Sequence, residues 1–116
     1  MINIELKTLE GFENVVSVGG TAFARCESLE NLDMSNLREI GTNAFQFCTA
    51  LTEINAPSLI KVEDSAFEDC TNITSITLSE KVEYIGDYAF ASTSISTFNF
   101  ANTLTHIGES TVGRTR

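Results

Sequence analysis

Phe23, Phe45, Phe67 and Phe90 lie 22, 22 and 23 residues apart, and Val112 falls 22 further on in the same phase. Ala22, Ala44, Ala66 and Ala89 precede the four rings, with Thr111 in the fifth place. Cys26, Cys48 and Cys70 follow the first three rings by three residues, and Thr93 takes that place in the fourth unit. Other apolar columns keep the same beat. Leu29, Leu51, Ile73 and Ile95 form one, and Leu32, Ile54, Ile76 and Phe98 another. Met34, Ala56, Leu78 and Phe100 follow, then Leu37, Leu59, Val82 and Leu104. Val18, Ile40, Val62, Ile85 and Ile107 close the unit. A fixed period of this size marks a stacked array, in which no unit buries its apolar edge alone and neighbours complete one core.

The local chemistry assigns each part of the unit a conformation. Leu32-x-Met34 and its copies alternate apolar and polar, the period of a strand. Gly19, Gly41, Gly86 and Gly108 follow the last column, with Glu63 as the exception. A Gly there permits a tight turn or a backbone angle closed to other residues. Thr42, Asp64 and Asp87 stand where a side chain could cap one turn of helix. The expected fold is an α/β-type repeat solenoid. It has a parallel β-sheet on the concave face and short helical or 3-10 turns on the convex side. The array reads as one domain over 1–116: an atypical N-terminal turn over 1–14, about four repeats over 15–110, and a truncated unit over 111–116. Ser79-Glu80-Lys81-Val82 carries one extra residue and the stretch from Phe90 to Ile95 is one short, both in expected loops. The last strand, Phe98-Asn99-Phe100, leaves a sheet edge that the tail covers, that pairs with another chain, or that marks a fragment of a longer array.

The string Val82-Glu83-Tyr84-Ile85-Gly86-Asp87-Tyr88-Ala89-Phe90, with Cys48 or Cys70 marking the next turn in sister units, resembles the BspA-like leucine-rich repeats. The similarity runs from about Val15 to Val112. The resemblance implies a curved solenoid with the parallel sheet inside. It also implies a role in adhesion or protein binding, often at a microbial cell surface. The chain departs from the pattern in its length and in having one Pro, Pro57.

Charge narrows the partner classes. The net charge is −9, from 16 acidic and 7 basic residues. Direct nucleic-acid binding needs Lys and Arg clusters to neutralise phosphates, and this balance argues against it. A protein partner with a basic surface fits better. No apolar run reaches the roughly 20 residues that span a bilayer, so membrane insertion is not expected. The first residues lack a basic segment followed by an apolar one. If Met1 is the native start, the chain stays inside the cell; if a signal peptide was removed, it is secreted or at the cell surface.

The chemistry-bearing residues give no catalytic constellation. Three Cys at 22-residue spacing do not have the two-to-four-residue spacing of a zinc knuckle and read as free, buried thiols. His106 is the one His and falls in a polar slot, as a surface residue. Glu63, Asp64, Glu68 and Asp69 lack the alternation and central Gly of a calcium loop. Asn72-Ile73-Thr74 matches a glycosylation triplet, but Ile73 is a core position. The chain is read as a non-enzyme with no cofactor and no metal.

Outward positions of the predicted strands are the candidate binding residues. They are Asn31, Asp33 and Ser35; Glu53 and Asn55; Ser75, Thr77 and Ser79; and Thr97 and Asn99. Glu5 starts the column of Asp33, Asn55, Thr77 and Asn99. This face carries no aromatic anchor and no Arg, the residues that dominate interface hot spots. The reading is a non-catalytic protein-interaction module of the adhesion or recognition type. The alternative is a small acidic intracellular inhibitor from a mobile element that blocks a basic site on a host nucleic-acid enzyme. Self-association through the C-terminal edge strand is a further expectation.

Overall fold

The computed structural model describes residues 9–98 and 103–111. The chain winds as a stack of coils, one per repeat, and among the described residues seven short strands mark its turns. These are β1 (Ser17–Val18), β2 (Glu39–Ile40), β3 (Glu53–Ala56), β4 (Lys61–Val62), β5 (Ser75–Leu78), β6 (Tyr84–Ile85) and β7 (His106–Ile107). They form two parallel sheets. One has five strands in the order β1-β2-β4-β6-β7, and the other pairs β3 with β5. Each pairing joins residues 22 or 23 apart, as Val18 with Ile40 and Val62 with Ile85.

The longer sheet is not at the predicted strand position. It forms at the Val18, Ile40, Val62, Ile85 and Ile107 column, read from sequence as the approach to a turn. The predicted strand position is a strand at β3 and β5, but residues 29–34 have no strand. The strand expected at Phe98-Asn99-Phe100 lies, beyond Phe98, outside the described residues. So do Glu5, Asn99 and Val112.

The expected helical turns are also replaced. Among the described residues the one helical element is a 3-10 turn, Phe12–Asn14, entered through Gly11 at φ +80°. The Ala-Phe segments instead form a ribbon of overlapping β-turns. Cys48 N–H donates to the Phe45 carbonyl, Gln46 to Asn43 and Ala44 to Gly41, each closing a turn. The intervening amides point along the stack: Asn43 donates to Asp64, Phe45 to Ala66 and Phe47 to Glu68, at 2.8–3.0 Å. The same set recurs from the first coil to the second and from the third to the fourth. Alternate turns need positive φ at their third residue. Thr21, Asn43, Ser65, Tyr88 and Ser110 supply it before each ring position, and Arg25, Phe47, Asp69 and Ser92 after it. A helix would keep every N–H for itself; the ribbon gives half of them to the next coil. Asp64 and Asp87 cap nothing. Their Oδ1 atoms accept the amides of Asp87 and Glu109 one coil on, at 2.8 and 2.7 Å.

This close stacking explains the Gly column. A Cβ on Gly41 would stand 2.6 Å from the nitrogen of Gly20, and one on Gly86 2.5 Å from the nitrogen of Asp64. Neither Gly has positive φ, so the need is for close approach and not for a special backbone angle.

Inside the coil the apolar columns become continuous spines. Phe45, Phe67 and Phe90 are fully buried, and the rings from Phe23 to Phe90 stack at 5.3–5.5 Å. Phe12 meets the first of them edge-on at 6.0 Å and covers that end. Fully burying one such ring contributes roughly 1.5–3 kcal/mol. The three Cys are free and buried beside this spine. The Cys48 and Cys70 thiols donate to the carbonyls of Phe23 and Phe45, one coil back, at 3.1 and 3.0 Å. In the Cys position of the fourth unit, the Thr93 hydroxyl donates to the Phe90 carbonyl of its own coil.

Burial pushes the Cys48 thiol up to about 12, and raises Cys70 well above the usual range. An unfolded thiol ionises near pH 8.5. Between those values the unfolded chain releases a proton that the fold retains, so stability is full below about pH 8 and falls as pH rises. Cys48→Ser, which keeps a donor for Phe23, is expected to flatten the fall in urea midpoint between pH 8 and 11. The native thiols should also resist a disulfide-exchange reagent until urea is added. Gly86→Ala should lower stability by about 2 kcal/mol through overpacking. Gly19→Ala, with nothing within 4 Å, should stay within about 0.5 kcal/mol in the same urea titration.

Candidate functional site

The polar face is built on β3 and β5. In β3 Glu53 and Asn55 are exposed while Ile54 and Ala56 are buried. In β5 Ser75 and Thr77 are exposed above the half-buried Ile76 and Leu78. The register sets Glu53 beside Ser75 and Asn55 beside Thr77. Asn31, Asp33 and Ser35 are exposed in the preceding coil, and Thr97 in the following one. The structure therefore gathers eight of the predicted residues on exposed positions of successive coils.

Ser79 is the correction. It is 2% exposed, and its Oγ accepts the Lys81 amide at 2.8 Å. The extra residue between Ser79 and Val82 forces a tight turn, and the hydroxyl is drawn inward to satisfy it. Ser79 is a turn residue and not part of the face.

Two others have structural duties. The Asn31 Oδ1 accepts the amides of Thr52 at 3.0 Å and Glu53 at 3.4 Å, and its Nδ2 donates to the Thr52 hydroxyl at 2.9 Å. Asn31 thus ties strandless residues 31–34 to β3. Asp33 accepts the Ser35 hydroxyl, and the Ser35 amide at 3.0 Å. These bonds, the hydroxyl first, hold its carboxyl below the usual range. Asp33, Ser35, Glu53, Asn55 and Pro57 line a shallow depression of about 270 Å³. Its two charged residues are both carboxylates, so it can accept hydrogen bonds and attract cations.

A second ladder escaped the sequence reading. The outward residues of the five-stranded sheet are Ser17, Glu39, Lys61, Tyr84 and His106, in register. Tyr84 and His106 stack at 4.5 Å and 12°. The Lys61 ammonium lies 5.2 Å over the Tyr84 ring and 3.1 Å from Glu63, which raises its pKa. The column keeps the 22-residue beat but shares no chemistry from unit to unit, so only the register reveals it. His106 is exposed, as expected.

Other candidate groups take part in coil-to-coil bonds. Glu68 Oε1 accepts the Gln46 amide at 2.9 Å. The Asn72 amide, in the glycosylation triplet, donates to the Thr49 carbonyl at 2.7 Å, and Ile73 is buried. Among the described residues no group of three or more His, Cys, Asp or Glu gathers as a metal site, and no helix is long and apolar enough to cross a membrane.

Asn31→Ala should cost about 1 kcal/mol in urea unfolding, since it releases backbone partners in the next coil. Asn55→Ala, exposed on the same face, should change stability by less than about 0.5 kcal/mol.

Comparison with known proteins fits this architecture. The sequence matches the BspA type leucine rich repeat region, in 6 copies, over residues 2–114. The comparison with curated proteins gives no match. The crystal structure of a leucine-rich repeat protein from Bacteroides ovatus is similar to this chain, with a TM-score of 0.75 and 26% sequence identity. The likeness covers 83% of this chain and 26% of that one, so this chain spans about a quarter of its neighbour's length. With a repeat match over nearly its whole length and a parallel solenoid to carry it, the chain belongs to the BspA-type leucine-rich repeat family.

Proposed function

We propose that this chain is a non-catalytic recognition module that receives a protein partner on the face of β3 and β5. The family is one of repeat arrays suited to protein interaction or adhesion. The observation that supports the finer reading is the division of labour within each coil. Apolar columns are spent on the core and alternate amides on coil stacking, while Asp33, Asn55 and Thr77 remain exposed in one column. Solenoids commonly bind through such a repeated face.

The depression between Asp33 and Glu53 favours a partner that brings Lys or Arg. Its recognition works through hydrogen bonds and charge, with no aromatic anchor among the described outward residues of this face. Such contacts steer association and set specificity more than raw affinity.

Replacing Asp33, Asn55 and Thr77 together by Arg should abolish capture of partner proteins from a cell lysate. A control variant on the turn ribbon, Glu68→Arg with Ser92→Arg, should retain it. Equal capture by both variants would remove this face from the reading.

A further inference from the structure

A groove runs along the stack at the corner where the β3 side of each coil meets the five-stranded sheet. It encloses about 510 Å³. One bank is the column Asn14, Asn36, Ser58 and Lys81, and the other is Val16, Arg38 and Ile60. Leu37, Leu59 and Val82, which lie between the banks in sequence, are buried. The groove thus follows from the fold: the chain turns a corner at an inward apolar residue, and the residues on either side stand up as walls. Each bank repeats once per coil, so the trough lies parallel to the stacking axis.

Its charge is opposite in sign to the net charge of the chain. The chain carries −9 net, yet both charged residues lining the groove are cations, Arg38 and Lys81. Among the described residues neither is in a salt bridge; the one ion pair is Lys61 with Glu63. The polar walls are amides and a hydroxyl. Val16, half exposed, and Ile60 add an apolar strip. The backbone beneath is already paired, because the Val16, Arg38 and Ile60 carbonyls each accept two amides from the next coil. An occupant is therefore read by side chains and does not add as a strand. The extra residue in the fourth unit, which the turn at Ser79 absorbs, is what sets Lys81 at the end of the trough.

We infer that this groove binds an extended acidic peptide segment of a partner protein, with carboxylates meeting Arg38 and Lys81 and an apolar side chain on Val16 and Ile60. With coils about 4.8 Å apart, the trough from Asn14 to Lys81 holds roughly four extended residues at about 3.3 Å each. Arg38 and Lys81 are two coils apart, which matches carboxylates about three residues apart. The inference shares with the proposed function only the premise that the chain binds protein. It uses a different surface and a partner of opposite charge.

The test is fluorescence polarisation with a labelled hexapeptide carrying Asp at its second and fifth positions and Leu between them. The same peptide with Asn at both positions is the charge control. The Asp peptide should bind saturably and the Asn peptide about two- to thirtyfold more weakly, as expected for two exposed charge pairs. R38E with K81E should reduce Asp-peptide binding by a similar factor, with an unchanged circular dichroism spectrum and urea midpoint. The triple Arg variant of the β3 and β5 face should leave it unaltered, which separates failure of this inference from failure of the proposed face. Equal binding of the two peptides, binding indifferent to R38E and K81E, or saturation by a neutral oligosaccharide without the Asp peptide would each overturn the inference.

Discussion

Backbone hydrogen bonds between successive coils govern the geometry of this protein. On the turn ribbon every second amide reaches the next coil at 2.7–3.0 Å, and on the other sides the two parallel sheets bind the same coils together. A buried amide without an acceptor is costly, so each coil depends on its neighbour for its backbone as well as for its apolar edge. The spacing so imposed leaves no room for a Cβ at Gly41 or Gly86. It also brings the Phe rings into a near-parallel stack and sets the Cys48 and Cys70 thiols against carbonyls of the coil before.

The same spacing turns single residues into surface features. A side chain repeated at one position becomes a rail along the stack, and two rails flanking a buried residue become a groove. The face on β3 and β5 gathers hydroxyls, amides and carboxylates. The corner groove gathers two cations that form no salt bridge among the described residues, on a chain of net negative charge. The outer ladder of the five-stranded sheet adds an ammonium over a phenol ring that itself stacks on an imidazole. The solenoid thus offers surfaces of differing charge without altering its core.

How much of this was legible from the residues depends on what each feature rests on. The inward columns were readable because Leu51, Ile73 and Phe67 lose water contact whichever backbone carries them, and burial follows residue type. Exposure of Asp33, Asn55 and Thr77 followed from alternation with those columns. Ser79 failed that rule because an added residue changed the local turn, and its hydroxyl was needed inside. The groove went unread because Arg38, Lys81 and Asn36 look like ordinary solvated residues until three coils are set side by side.

By itself the sequence determined the period, the inward columns, the buried thiols and the family likeness, because all four are properties of residue type repeated in phase. Only the tertiary structure decided that the ring segments are a ribbon of turns and not helices, that the longer sheet lies at the Val and Ile column, and that a cationic groove exists. The reason is the non-local partner. Whether an amide bonds within its own turn or across to a residue 22 positions away is not written in the residue that bears it. Nor do Thr21, Arg25, Phe47 and Tyr88 announce positive φ as Gly would; the neighbouring coil imposes it by offering the carbonyls that alternate amides take.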